Sequence, residues 1–265
     1  MNKTMKKYST ILIIILTVAL LAGCSTKPAE DPDVITIKAG ADMAYAPFEY
    51  VNDAGKPEGF DMDLIRAIAD EMGFNVELVN TNWDGIIPSL ETGNIDLIIS
   101  AMTITEERKE SVTFSDPYFE STQYIAVKEG SSITSLADLK GKKVGVQNGT
   151  TGDFAITEYY DGLEEATEAG TVQRYADIPA ALTELINGGV DAVVADSPVV
   201  LEFIASNPNA NIIAFGDDSF EKEFFGIAMR QDDTDIHAMI NEGLEKIKEN
   251  GVYDEVFGKY FSTGN

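Results

Sequence analysis

The chain has little of what redox and metal sites are usually built from, since its 265 residues include one cysteine, Cys24, and one histidine, His237. A single cysteine has no partner within the chain, which excludes a disulfide framework. Basic residues are also few: 19 Lys and Arg stand against 45 Asp and Glu, for a formal net charge of −26. This excess of negative charge argues against nucleic acid as a partner. We expect no metal and no cofactor.

Long hydrophobic runs are missing except near the N-terminus, where lysines precede the apolar run 11–22. That run is short for a bilayer span and has the layout of a secretory signal. It ends in Leu21–Cys24, which resembles a bacterial lipobox, in which the cysteine becomes the lipid-modified first residue. A plain signal peptide that happens to contain a cysteine is the alternative. Because Cys24 has no disulfide partner, we predict a signal peptide over 1–23 and lipidation of Cys24.

The polar segment after Cys24 carries two prolines and no apolar periodicity, which predicts a flexible tether over 24–33. The fold should begin near Val34. The remaining ~230 residues suffice for one large or two modest domains.

Short β-branched runs alternate with amphipathic segments along this part of the chain, as in α/β proteins with largely parallel sheets. Glycine at position 73 and the acidic residues Asp61 and Asp63 mark the two ends of one helix, and we expect the acids to favour its N-terminus rather than to bind metal. The pattern predicts strands over 34–39, 75–79, 95–100, 143–146, 171–175 and 192–195, and helices over 61–72, 85–92, from about 151, 178–187 and 197–206.

An internal match suggests that the α/β unit occurs twice. Leu90–Ser100 can be laid over Leu185–Ala195, with leucine, glycine and aspartate at equivalent positions and apolar residues at the strand positions. In open α/β sheets, ligands bind outside the carboxyl ends of the strands. If the two units face each other, the strand exits at Ser100 and Asp196 look into one cleft.

One arginine follows the first of these strand exits. Thr105 is a plausible N-cap before two glutamates, which places Arg108 in the first turn of a helix. A guanidinium can hold a carboxylate bidentately, so Arg108 is a candidate ligand-binding residue. The alternative is a solvated charge run in which the arginine balances its neighbours.

The whole chain from Val34 onward resembles the extracytoplasmic binding proteins for polar amino acids that feed ATP-driven importers, a family that contains arginine-, lysine/ornithine/histidine- and glutamine-binding proteins. The resemblance implies a two-lobed α/β fold of the periplasmic-binding-protein type II class with a two-strand hinge. It implies one lobe over 34–119 and 226–265 and a second over 120–225. The stretches that carry it are Asp42–Glu49, Gly59–Leu64, Trp83–Pro88, Thr103–Arg108, Phe114–Tyr118, Val146–Thr151 and Asp191–Asp196.

Carried over by position, the resemblance implies that Arg108 binds the α-carboxylate of an amino acid. Thr103 and the backbone at Ala101 and Thr151 would add hydrogen bonds. Asp196 would accept from the α-ammonium group. Asp196 could also cap the helix that starts at the next residue, and both roles can hold at once, since a carboxylate has two oxygens.

The side-chain end of the site would be formed by Asp42, Tyr45, Trp83 and Gln147, at the positions where the family meets the distal part of its ligand. An anion between two aromatic rings suits a guanidinium or ammonium group, through charge pairing and cation–π contact. Asp42 could instead accept from a glutamine amide, and the rings could simply be core residues. The pattern favours arginine or another basic amino acid over glutamine.

The resulting interpretation is a monomeric, lipid-anchored binding protein outside the cytoplasm that passes a free amino acid to an ABC transporter permease. We expect no enzymatic activity, because general acid–base catalysis would need a histidine or carboxylate aimed at a reacting atom, and His237 lies far from these motifs in the sequence. A dehydratase-like enzyme or a sensor domain on the same fold is the alternative of a different class.

Overall fold

The computed structural model describes residues 34–163 and 170–261. The predicted signal peptide, the lipidation site at Cys24 and the predicted tether lie outside the described residues. Within the described ranges, no helix combines the length and the apolar character that a bilayer span requires.

The described chain alternates strands and helices. The strands are, in chain order, β1 (Thr36–Ala41), β2 (Ala44–Tyr45), β3 (Glu49–Val51), β4 (Pro57–Glu58), β5 (Asn75–Asn80), β6 (Leu97–Ile98), β7 (Thr113–Phe114), β8 (Phe119–Ser121), β9 (Gln123–Lys128), β10 (Lys143–Gln147), β11 (Thr171–Tyr175), β12 (Ala192–Asp196), β13 (Ile212–Gly216), β14 (Glu223–Phe225) and β15 (Ala228–Met229). The helices are α1 (Phe60–Met72), α2 (Ile86–Glu91), α3 (Glu106–Lys109), α4 (Thr151–Asp161), α5 (Ile178–Asn187), α6 (Ser197–Ser206), α7 (Thr234–Glu249) and α8 (Val252–Phe261), with 3₁₀ turns at Trp83–Gly85 and Leu136–Leu139.

Two five-stranded sheets form the two lobes, in the orders β5-β1-β6-β15-β7 and β11-β10-β12-β9-β13. In each sheet the first three strands in this order run parallel to one another. The fourth strand, β15 or β9, pairs antiparallel with the neighbour on either side. The sheets are therefore mixed rather than largely parallel. The antiparallel strands β9 and β15 are the ones through which the chain enters the second lobe and returns to the first. Parallel neighbours are joined by a crossover connection, usually a helix, whereas β9 and β15 follow the hinge strands directly and can therefore run antiparallel.

The internal match is confirmed by the register of the sheets. Leu97 pairs with Ala39 of β1, and Ala192 pairs with Val144 of β10, so β6 and β12 hold the same place in their sheets. Their carboxyl ends lead to Ser100 and to Asp196, and both residues line one cavity between the lobes. The topology thus brings two strand exits far apart in sequence to a single site.

A two-stranded ribbon connects the lobes. β8 and β14 pair antiparallel, with Phe119 opposite Phe225 and Ser121 opposite Glu223. Every strand of the first sheet precedes β8 or follows β14, whereas every strand of the second sheet lies between them. The chain therefore crosses between the lobes at this ribbon, called the hinge ribbon below.

Aromatic rings anchor one end of the hinge ribbon to the first lobe. The Phe119 and Phe225 rings stack with centroids 5.7 Å apart. The Phe48 ring meets them edge-on at 4.9 Å and 5.3 Å. The Phe261 ring of α8 lies 4.8 Å from that of Phe119. Such pairs add to the free energy gained from burying their area, so this end of the ribbon moves with the first lobe.

We expect Phe225→Ala to lower the free energy of unfolding by about 3–5 kcal/mol, because the Phe225 ring is completely buried and its removal leaves a cavity beside Phe48. Urea unfolding followed by circular dichroism measures the loss. Phe224→Ala is the matched control, since the neighbouring ring is 42% exposed, and it should cost less than about 1 kcal/mol. Equal losses in the two variants would contradict the proposed anchoring.

Candidate functional site

A small cavity of about 20 Å³ lies between the two lobes. All nine ligand-binding residues predicted from the sequence line it, and three further residues join them. The lining residues are Asp42, Tyr45, Glu49, Trp83, Ser100, Ala101, Thr103, Arg108, Gln147, Thr150, Thr151 and Asp196. Such a volume has room for about one water molecule, so a larger ligand requires the walls of the cavity to move apart.

Arg108 supplies the cation of the site. The Thr105 hydroxyl accepts from its backbone N–H at 3.1 Å, which confirms the predicted N-cap of α3. The guanidinium donates through Nη1 to the Thr103 carbonyl at 2.8 Å and through Nη2 to the Gly149 carbonyl at 3.4 Å. It also lies 5.1 Å from the centre of the Trp83 ring. The solvated charge-run alternative does not hold, because Arg108 is only 8% exposed.

The Arg108 guanidinium has no bonded anionic partner in the part of the chain that the structure describes. Among the described residues no carboxylate forms an ion pair with it. Burial lowers the pKa of Arg108, while the nearby charges of Glu223 and Asp196 raise it. A buried charge without a bonded counter-ion is costly, and a carboxylate entering the cavity would relieve that cost.

Asp196 supplies an anion on the opposite lobe, at the end of β12. Its side chain makes no capping hydrogen bond to α6. Instead Oδ2 accepts from the Tyr45 hydroxyl at 2.6 Å, and Oδ1 accepts from the Ser121 hydroxyl at 3.0 Å and from Gln123 Nε2 at 3.2 Å. Burial raises the pKa of Asp196 to about 7, helped by the charge of Glu223. The geometry therefore favours the cavity role of Asp196 over the helix-capping role.

Asp42 and Gln147 form a second polar region of the cavity. Gln147 Nε2 donates to Asp42 Oδ2 at 3.0 Å and to the Ala176 carbonyl at 3.2 Å. Gln147 Oε1 is buried and has no donor among the described residues. The pKa of Asp42 is raised to about 6, mainly by burial; the hydrogen bond from Gln147 lowers it, and the charges of Asp177 and Asp84 add to the increase. This end of the cavity is rich in acceptors and in negative charge.

Two predicted aromatic residues also line the cavity. Tyr45 is buried and Trp83 is half-buried. The Trp83 Nε1 donates across the cleft to the Gly149 carbonyl at 3.3 Å. Tyr45 likewise reaches across the cleft to Asp196. Each ring thus has a second role in joining the lobes, and the sandwich of a ligand side chain between them stays a prediction.

The backbone at Ala101 differs from its expected role as a donor. Ala101 has a φ of 43°, and its N–H donates to Asp61 Oδ2 at 2.7 Å. The Ala101 amide is therefore engaged by the protein, and Ala101 can offer a ligand only its carbonyl oxygen. The hydroxyls of Thr103 and Thr151 lie 3.5 Å apart across the cleft.

Behind the cavity lies a pair of buried acids that the sequence reasoning missed. Asp61, expected to favour the start of α1, is instead buried, as is Glu49. Glu49 Oε1 accepts from the Ser100 hydroxyl at 2.7 Å, and that hydroxyl accepts from the Asp42 N–H at 3.0 Å. Asp61 Oδ2 accepts from Ala101 and, at 2.8 Å, from the Tyr118 hydroxyl. The pair thus fixes the backbone at the first strand exit.

The two acids are expected to hold one proton between them. Their remaining oxygens, Glu49 Oε2 and Asp61 Oδ1, are buried and have no hydrogen-bond partner among the described residues. The repulsion between two neighbouring buried carboxylates is relieved when one of them is protonated. Burial raises the pKa of both, and the charge of Asp61 adds to the increase at Glu49. Each acid stands between apolar residues in the sequence, which is the signal that could have revealed its burial.

The family model for bacterial extracellular solute-binding proteins, family 3, matches residues 37–263. The chain belongs to this family. Within the described residues, no cluster of side chains could hold a metal ion.

Individual relatives of this solute-binding protein are named for amino acids. It is 38% identical over 236 residues to a probable histidine-binding protein of Neisseria gonorrhoeae, which covers 89% of this chain and 86% of that one. It is similar in structure to an ancestral arginine-binding protein bound to arginine, with a TM-score of 0.81, 43% identity, and coverage of 86% of this chain and 98% of that one. It is also similar to the ancestral amino acid-binding protein AncCDT-1, a precursor of cyclohexadienyl dehydratase, with a TM-score of 0.76, 38% identity and coverage of 86% and 96%.

We expect Glu49→Gln to weaken the pH dependence of stability. A pKa raised by folding means that the folded state keeps a proton that the unfolded state releases. This contribution is complete below the ordinary carboxyl pKa of about 4 and is lost as pH rises through the folded pKa. Glutamine supplies a permanent N–H in place of the shared proton, so the variant should lose less stability between about pH 5 and pH 8 than the wild type.

Thermal unfolding across this pH range measures the difference. Glu77→Gln, which removes an exposed glutamate from the same lobe, should leave the wild-type slope unchanged. A Glu49→Gln slope equal to that of the wild type would contradict the shared proton.

Proposed function

We propose that this protein captures a free amino acid between its lobes and delivers it to an ABC importer. The observation that carries the proposal is the pair of opposite charges on facing walls of one cavity. Arg108 is a buried guanidinium with no ion-pair partner among residues 34–163 and 170–261, and Asp196 is a buried carboxylate at the strand exit of the other lobe. An amino acid zwitterion carries a carboxylate that could pair with Arg108 and an ammonium group that could pair with Asp196.

The second polar region favours a basic ligand. A guanidinium or ammonium group there would meet the Asp42 carboxylate and could donate to Gln147 Oε1, which has no donor among the described residues. The charges of Asp84 and Asp177 act on the same region. Arginine is therefore the first candidate. Glutamine is the alternative, since its amide could also donate to Asp42, but it would leave the negative charge of this region without a counter-ion.

The rings would complete the pocket for the ligand side chain. Tyr45 and Trp83 border the cavity, and a planar cation can pack on an aromatic face with a gain of about 0.5–2 kcal/mol. At the other end, the helix α4 begins at Thr151, so its free backbone N–H groups and its dipole favour a carboxylate nearby. These features agree with a carboxylate near Arg108 and a cation near Asp42.

The hinge ribbon supplies the motion that such a protein requires. We place the change of lobe at β8 and β14, close to the predicted boundaries at 119 and 226. A ligand that touches both walls stabilises the closed arrangement by its differential affinity for it. The closed surface would then be the one that a permease binds. We further propose that the protein is a monomer tethered outside the cytoplasm by lipid on Cys24, which would raise its concentration near the permease.

We propose binding rather than catalysis. The oxygens of Asp196 accept hydrogen bonds from three side chains, which suits a fixed counter-ion better than a group that exchanges protons with a substrate. The relatives reported above are named as binding proteins, including the precursor of a dehydratase. A dehydratase activity stays the alternative.

Isothermal titration of residues 34–265 with arginine, lysine, histidine, glutamine and cystine tests the proposal. The protein is first unfolded and refolded to remove any amino acid that co-purifies. We expect the tightest binding for arginine, with glutamine weaker by at least about tenfold, or ~1.4 kcal/mol. Preference for glutamine would overturn the account of the ligand side chain, and absence of binding across the panel would overturn the proposed function.

Asp42→Asn is the discriminating variant of this titration. It keeps the shape of the side chain and removes its charge, so arginine should lose more affinity than glutamine. Asp53→Asn is its control, because this side chain is exposed on the same lobe and does not line the cavity. Its effect on the preference should be small.

A further inference from the structure

Glu223 occupies a place that the sequence motifs do not mark. It is the first residue of β14, the strand of the hinge ribbon that returns to the first lobe, and it is half-buried. Opposite it in the ribbon stands Ser121, which donates to Asp196. Glu223 therefore sits between the hinge and the cavity.

The Glu223 carboxylate contacts both lobes. Its Oε2 accepts from the Thr103 hydroxyl at 2.8 Å and from the Thr151 hydroxyl at 2.7 Å. Its Oε1 accepts from Gln123 Nε2 at 3.1 Å, and the same nitrogen donates to Asp196. Thr103 follows the strand exit of the first sheet, whereas Thr151 begins α4 on the second lobe.

These contacts decide what the two threonines can offer a ligand. A hydroxyl has one proton to donate and two lone pairs to accept. Both hydroxyls give their proton to Glu223, so only lone pairs remain for the cavity that they line. One lone pair of Thr151 already accepts from Gln123 Nε2 at 3.3 Å, which leaves the other. Lone pairs suit an ammonium group and not a carboxylate, whereas the resemblance to the family implied a hydrogen bond from Thr103 to the ligand carboxylate.

We propose that Glu223 is a positioning residue for the ammonium group of the ligand. It holds the protons of Thr103 and Thr151, so that their oxygens face the cavity as acceptors, and it places a second negative charge beside Asp196. This inference rests on the proposed function and extends it, since it assigns part of the selection for cationic ligands to the hinge ribbon itself.

The charge of Glu223 also has a consequence that can be measured at Asp196. The groups that face Asp196 are the Tyr45 and Ser121 hydroxyls, the Gln123 amide, the Arg108 guanidinium and the Glu223 carboxylate. The pKa of Asp196 is raised to about 7, mainly by burial and also by the charge of Glu223, while the two hydroxyls and Arg108 act to lower it. An ammonium group binds the ionised form, so affinity should fall as pH drops through this range.

Titration of Glu223→Gln with arginine between about pH 5 and pH 8 tests the inference. We expect arginine to bind at least about tenfold more weakly at the upper end of this range, because one charge and one acceptor are lost. The pH at which affinity is half-lost should move downward, since Asp196 ionises more easily without the neighbouring charge. The loss of arginine affinity in the variant relative to the wild type should therefore become smaller towards low pH.

A second ligand separates this role from a merely structural one. Arginine without its α-amino group has no ammonium to bind, so its affinity should change little between the wild type and Glu223→Gln. Equal losses for both ligands with an unchanged pH midpoint would overturn the inference. So would an unchanged affinity for arginine. If the wild type binds no amino acid, the proposed function itself is wrong, and this outcome differs from a failure of the Glu223 inference alone.

Two further variants complete the design. Glu120→Gln removes a charge from the facing strand of the ribbon, where the exposed side chain pairs with Lys222, and it should leave both the affinity and the pH midpoint unchanged. Glu223→Asp keeps the charge but shortens the reach to the threonines, so affinity should fall while the midpoint stays near that of the wild type. If Glu223→Gln does not fold, the aspartate variant carries the test, and a midpoint shifted downward in it would contradict the inference.

Discussion

A buried guanidinium that has no bonded counter-ion among the described residues is the constraint on which the rest of this site depends. Removing the Arg108 charge from water is expensive, and the carbonyls of Thr103 and Gly149 together with the Trp83 ring compensate only part of that cost. The fold keeps the charge in place by capping the short helix that carries it. In the proposed function, a ligand carboxylate would relieve this cost, and the cation that selects it would be in place before the ligand binds.

The duplicated topology makes the opposite charge available at the right place. β6 and β12 occupy equivalent positions in the two sheets, and their exits meet at one cavity. One lobe thus contributes the cation and the other contributes Asp196. Since neither lobe alone presents both charges, a zwitterion is bound best when the lobes are together. Recognition and closure are thereby two aspects of the same electrostatic arrangement.

The sequence predicted those parts of the fold that are determined locally. The bounds of α5 follow from the Asp177 cap at its start and from Gly188 at its end, and the structure has both. The short strands β7, β14 and β15 were not predicted, because two or three residues form a strand only when a distant partner pairs with them. The sheets were expected to be more parallel than they are, because the longer strands β9 and β13, which pair antiparallel, were not predicted either.

In the candidate site, too, features that depend on local sequence were predicted, whereas features that depend on distant contacts were missed. Its nine predicted residues line the cavity because family motifs mark strand exits and helix starts, which are visible in a sequence. The buried pair of Glu49 and Asp61 was missed, since an acid in a sequence gives no sign of a shared proton. Glu223 was missed because its importance comes from the hinge ribbon, which brings it to Thr103 and Thr151 across long separations in the chain.

The most direct test of this account is a crystal structure of residues 34–265 with arginine. The account predicts the ligand carboxylate on the Arg108 guanidinium, its ammonium group against Asp196 and its guanidinium within hydrogen-bonding distance of Asp42. A ligand bound in the reverse direction, with its guanidinium at Asp196 and its carboxylate away from Arg108, would contradict the account, as would a ligand bound outside the cavity.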